Sequence, residues 1–151
     1  VIHVRRQIVL ATVMALKGAV AEVESRVFDG RSEPIHTTQK PYLLVYGRQE
    51  DSRDIAEYGD DGRRLQRVLT LAVEGVDKSV ADTDAELDAL ALAVERALTA
   101  DPTLGGIAKD VVLARSDLNA RAEGESRTGR VRLEFTVEYH TPAARPEISI
   151  A

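Results

Sequence analysis

The chain has 151 residues, 44% of them hydrophobic and 30% charged, with a formal net charge of −5. That is the size of one domain with a real core, and the charge argues against a dedicated nucleic-acid binder, although a local basic face remains open. There is no Cys, which excludes disulfide frameworks, thiolate zinc sites and cysteine nucleophiles together, and aromatics at 4% leave few anchors for a sugar or base to stack on.

The start, Val1-Ile2-His3-Val4-Arg5-Arg6, lacks the apolar region and small-residue cleavage site of a secretory signal. No run approaches the roughly 20 apolar residues that span a bilayer. A soluble protein without membrane partners is expected. The missing Cys fits a reducing cytoplasm.

A first helix is expected over about Arg5 to Val27. Ile8, Val9, Thr12, Val13, Leu16, Val20, Val23 and Val27 recur at three- and four-residue steps and form one apolar stripe. Gly18 interrupts it, and Gly30 is placed to end it. Arg31 to Lys40 reads as a polar loop with Pro34. Pro41 to Gly47 then reads as a strand, apolar on both faces.

Arg48 to Gly62 is charged and carries Gly59 and Gly62 between two strand-like segments. A long hairpin arm or ordered excursion fits this pattern. Loops of such length are usually functional, so it is a candidate interaction surface. Its candidate interface residues are Arg48, Asp51, Arg53, Asp54, Ile55, Tyr58, Asp60, Asp61, Arg63 and Arg64, with Ile55 and Tyr58 as apolar anchors. Arg63 to Val76 returns to strand character. Leu65, Leu69, Leu71 and Val73 share a parity that Arg67 interrupts.

The second helix begins at Thr83, where Glu86 three residues later completes a capping box and Asp82 and Asp84 add negative charge at the positive helix end. Leu87, Leu90, Ala91, Val94 and Leu98 mark its apolar face. Asp101-Pro102 stops it, and Gly105-Gly106 supplies a corner. Val111 starts another strand, continuing irregularly to about Ala122, and Glu123 to Gly129 reads as a turn. The last strand places Val131, Leu133, Phe135, Val137 and Tyr139 on one face and Arg130, Arg132, Glu134, Thr136 and Glu138 on the other. Residues 1–4 and 142–151 are expected to be loosely attached. The sum is an α+β fold in one domain: a mostly antiparallel four-stranded sheet, two helices on one face, and a long charged excursion between the first two strands.

Nothing in this order assembles a catalytic, cofactor or metal motif. His3, His36 and His140 have no ligand spacing between them. The serines sit in no Gly-x-Ser-x-Gly elbow, and no phosphate-cradling glycine loop is present. Asp60-Asp61 does not follow the alternate-ligand spacing of a calcium loop. Arg63, Arg64 and Arg67, and Arg127, Arg130 and Arg132, are arginine groups suited to cross-strand pairing with Glu134 and Glu138 or to an acidic partner.

The long helix, the strand before a polar excursion, the capped helix ending in Asp101-Pro102-Thr103-Leu104-Gly105-Gly106, and the last strand closing in Val137-Glu138-Tyr139-His140-Thr141 together resemble the phage tail terminators of the lambdoid minor tail protein U type. The resemblance runs from about Arg5 to Thr141. It implies a sheet with helices on one side and a structural, non-enzymatic protein of a virion, assembled in the host cytoplasm. It further implies a hexameric ring on the head-proximal end of the tail tube, in long-tailed phages, prophages or gene transfer agents. The implied partners are further copies of the chain, the tail tube protein and head completion proteins. DNA would cross the lumen without specific binding. The resemblance carries over no individual site residue, and it leaves two other readings open: a head–tail connector or tail completion subunit, and a small enzyme or ligand-binding domain using scattered carboxylates and Tyr139-His140.

Overall fold

The structure, a computed structural model, describes residues 1–32, 40–59, 62–78, 83–118 and 129–150, with the side chains of 56–59 and 83 outside that description. Asp60, Asp61, Asp82, the last residues expected of the strand from Val111 to Ala122, most of the Arg31 to Lys40 loop and the turn before Gly129 therefore lie outside the described residues.

Helix α1 spans Val4–Leu16, shorter than the apolar stripe suggested. The chain turns extended at Lys17, and Gly18 takes a φ of +81° that a side chain would resist. The stripe persists because successive turns keep a spacing near three residues, with Val23 N donating to Val20 O, so Val20 and Val23 stay fully buried without a helix. Gly30 does not cap a helix. It follows strand β1, Val27–Asp29, and its N–H donates to Val45 O.

Strand β2, Tyr42–Gly59, and strand β3, Gly62–Asp77, pair antiparallel down to Gly59 opposite Gly62. The charged excursion is therefore no separate segment: it belongs to the two paired strands of a hairpin, whose register shifts between Asp54 and Tyr58. Helix α2, Thr83–Ala100, is followed by strands β4, Asp110–Asp117, and β5, Gly129–Pro142. The sheet has five strands in the order β1-β2-β3-β5-β4. It is mixed rather than four-stranded and antiparallel, because β1 runs parallel to β2 with Val27 opposite Leu43. Three residues are too few to show an alternation, and Val27 also keeps the spacing of the helical stripe.

The core lies between the helices and one sheet face. Ile8, Leu16, Leu90, Val94 and Leu98 meet Leu43, Val45, Leu71, Leu133 and Val137, all essentially without exposure. Burying each such side chain contributes about 1.5–3 kcal/mol. On the opposite face Tyr42, Leu44 and Val76 are also buried, with Phe28 set edge-on to Tyr42 at 6.1 Å. After α2 the chain turns on Asp101, whose Oδ2 accepts from Gly105 N at 3.0 Å.

The segment after Pro142, expected to be loose, is held at several points. Ala143 N donates to Arg63 O at 2.7 Å, Ile150 N to His140 O at 2.9 Å, and Gln7 Nε2 to Glu147 O at 2.9 Å. Pro146 O accepts from Val4 N, so the tail anchors the first turn of α1, and Val4 is fully buried while Val1 and Ile2 are exposed.

Candidate assembly interface

The register of the hairpin decides where its charges point. Leu43 and Val45 face the helices, and strict alternation would turn Glu50 away from them. A register shift between Gly47 and Gln49 inserts one residue, so Glu50 lies opposite Leu69 on the helix face. Arg48, on the bulge, reaches the other face and pairs with Glu134 at 2.7 Å.

Glu50 then becomes the centre of a buried polar cluster at the base of the arm, with its side chain 5% exposed. Its Oε2 accepts from Arg67 Nη1 at 3.1 Å and from Arg5 Nη1 at 3.2 Å, and its Oε1 accepts from the Tyr139 hydroxyl. Arg67 Nε donates in turn to Thr141 Oγ1 at 2.9 Å. Burial, followed by the hydrogen bond to Glu50 and its charge, pushes the Tyr139 hydroxyl above its ordinary pKa. His3 caps α1 by accepting from Arg5 N through Nδ1 at 3.1 Å. Its pKa is lowered by burial first, then by the charges of Arg5 and Arg67.

Beyond this cluster the arm carries its charge outward. Asp51, Arg53 and Asp54 are exposed, and Asp54 pairs with Arg63 at 3.4 Å. Ile55 is half-buried rather than a free anchor, and so is Arg64, which lies opposite Pro142. Tyr58 lies opposite Arg63 in the backbone register. The arm thus brings together most of the described residues expected at an interface, while Arg48 is drawn into the sheet by Glu134.

The sequence showed part of the cluster. Arg67 at an apolar parity and Tyr139 ending an apolar face were visible signals, whereas Glu50 was masked by a bulge that alternation does not foresee. On the face away from the helices, Arg132 pairs with Asp117 at 3.3 Å and with Glu134 at 3.5 Å, a cross-strand use of these arginines that the spacing allowed. The Tyr139-His140 pair is split. Tyr139 points into the Glu50 cluster, while His140 Nε2 lies 3.1 Å from Glu138 Oε2 on the opposite face.

Two clefts of about 340 and 330 Å³ are present, one at the start of α1 beside His3, Arg6 and Tyr46, the other at the start of α2 beside Glu22, Pro41 and Glu86. Neither sets a nucleophile against a base. Among the described residues no three His, Asp or Glu side chains converge as metal ligands, and no described helix is long and apolar enough to cross a membrane.

No protein-family model matches the sequence, and no curated protein matches it either. A solved structure does: a chain in the virion of a native gene transfer agent particle is similar to this one with a TM-score of 0.52 and 18% identity, over 88% of this chain and 92% of that one. At that identity the likeness is one of fold, and it extends over nearly the whole of both chains.

Proposed function

We propose that the protein is a structural component of a phage-like particle, and specifically a tail terminator. In this role it forms a ring, hexameric by the family resemblance, on the head-proximal end of the tail tube, where it stops tube growth and offers the surface that the head joins. The observation that carries the reading is the near full-length fold likeness to a chain of a gene transfer agent virion. The tail-terminator pattern in the sequence supports the finer assignment.

The mechanism is one of surfaces. A ring needs head-to-tail contacts that close by rotation, so each copy must present two different complementary surfaces. The β2–β3 arm suits one of them, because the Glu50 cluster fixes its base while Asp51 and Arg53 stay exposed. DNA passes through the lumen without specific binding, and the net charge of −5 disfavours adhesion. The partners in this reading are the tail tube protein and the head completion proteins.

Negative-stain electron microscopy of the purified chain, alone and mixed with tail tubes from the same genome, tests the proposal. Rings, or caps at one tube end that halt growth, are the expected result. Persistent monomers that ignore tubes but bind a portal complex would replace it with the connector role.

A further inference from the structure

The sheet ends in two open edges of different origin. On one side β1 pairs with β2 only from Leu43 to Val45, so from Gln49 onward the outer edge of β2 meets no other described strand. On the other side β4 pairs with β5 alone among the described strands. Open edges present rows of backbone donors and acceptors that direct pairing with another chain, and natural proteins cover or blunt them unless pairing is wanted. Among the described residues β2 is blunted by charge and by its bulge, and β4 carries exposed Val112.

We infer that the two edges are made for each other: the outer edge of β2 in one copy pairs antiparallel with β4 of the next, so that Asp51 of one copy faces Arg115 of its neighbour. Three observations lead there. The first is direction. β2, β3, β5 and β4 are each antiparallel to the one before, so β2 and β4 run in opposite senses within one copy. A rotation about an axis lying roughly along the strands preserves that sense and presents the two edges as an antiparallel pair.

The second is charge and face. Asp51 lies opposite Val68 and Arg115 opposite Glu134, which places both on the face away from the helices. Both are exposed, and neither forms an ion pair with another described residue. Opposite charges directly across a ladder stabilise it, and the same register sets Gln49 near Asp117.

The third is stagger. Followed across the sheet, Asp51 stands level with Glu138 of β5 and Arg115 level with Glu134, so the contact shifts successive copies by four residues along β5. That is about 13 Å of strand over the roughly 19 Å breadth of the four strands from β2 to β4, a tilt of about 35°. Closed sheets tilt their strands by about 35–45°, so the shift has the size that closure of a wide ring needs. The contact is heterologous, as ring closure demands.

This inference rests on the ring reading and names its contact. The chain has no Cys, so an engineered pair reads out cleanly. Opposed residues on antiparallel strands have Cβ atoms about 4.5–5.5 Å apart, near enough for a disulfide with a small shift. The experiment is mild oxidation of the Asp51→Cys/Arg115→Cys chain, alone and on tube ends, resolved on a non-reducing gel.

A ladder rising in whole-chain steps to the ring's copy number, seen in the double variant and in neither single one, is expected. Rings or tube caps that form normally without the ladder overturn the edge pairing and leave the ring reading standing. A wild-type chain that neither self-associates nor caps tubes overturns both. Charge exchange gives an independent readout: Asp51→Arg or Arg115→Asp alone weakens self-association several-fold, and the two together restore it. Reversals without effect count against the contact.

Discussion

Tyr139 donates its hydroxyl to Glu50 Oε1 across 89 positions of sequence, and the bond joins the interior strand β5 to the arm through a carboxylate that also holds Arg5 and Arg67. One side chain thereby ties the first turn of α1, the arm and the last strand together. Three partners on one buried carboxylate make the cluster sensitive to its loss, because a charge left without its partner in a dry place costs more than the pair gained.

Glu50→Ala leaves Arg67, 11% exposed, without its carboxylate. We expect a loss of about 3–5 kcal/mol, the range for breaking a buried pair. For a chain of this size that lowers Tm by about 10 °C. Glu50→Gln, which keeps the shape and an acceptor, should lose less. Differential scanning calorimetry of the two variants separates charge from packing, and equal melting temperatures for wild type and Glu50→Ala would show that the cluster contributes nothing.

The raised pKa of Tyr139 makes stability depend on alkaline pH. The folded chain holds that proton more tightly than the unfolded chain, whose tyrosine titrates near about 10. The stabilisation is therefore complete below that value and is lost as pH rises from it toward the folded-state pKa. Urea midpoints for wild type should fall more steeply above about pH 10 than those of Tyr139→Phe, which has no proton to lose. Parallel slopes for the two proteins would remove Tyr139 from the account.

Much of this architecture was legible where a period was long and unbroken. The faces of α2 and β5 follow from Leu87, Leu90, Val94 and Leu98, and from the alternation of Val131 to Tyr139, all buried as the pattern required. Reading failed where two geometries share one period: Val20 and Val23 keep a helical spacing while lying in turns. It failed again at Arg48, since a bulge reverses the face of every residue beyond it and leaves no mark in composition. The arm was visible as a charged stretch, but its pairing down to Gly59 and Gly62 comes from contacts with β3 that alternation within β2 alone does not reveal.

At the corner after α2, Leu104 holds a φ of +49° although it is not glycine, and it is buried to 4% exposure. A left-handed conformation costs a side-chain-bearing residue about 1–2 kcal/mol, against about 1.5–3 kcal/mol from burying leucine. Leu104→Gly should therefore destabilise modestly, losing the contact and regaining the strain. Gly105, at φ +73° with open space where a Cβ would sit, has only the strain to gain, so Gly105→Ala should cost about 1 kcal/mol. Chemical denaturation of both variants checks the assignment, and a neutral Gly105→Ala would mean that the corner relaxes.

Removing the residues after Pro142 tests whether the tail belongs to the folded body. The truncation deletes the acceptors of Val4 N and Gln7 Nε2 and the bond from Ile150 N to His140 O. Each such bond is worth about 0.5–1.5 kcal/mol net, and the entropic cost of ordering the tail disappears with it and offsets part of that loss. The global melting temperature should therefore fall by only a few degrees. The local effect should be larger, because the first turn of α1 loses its external acceptor while the ladder between β3 and β5 keeps its own bonds. Hydrogen exchange should thus accelerate at the amides of Val4, Arg5 and Arg6 and stay unchanged across β3 and β5. Uniform acceleration would mean that the tail supports the whole fold, and no change anywhere would mean that it packs without stabilising α1.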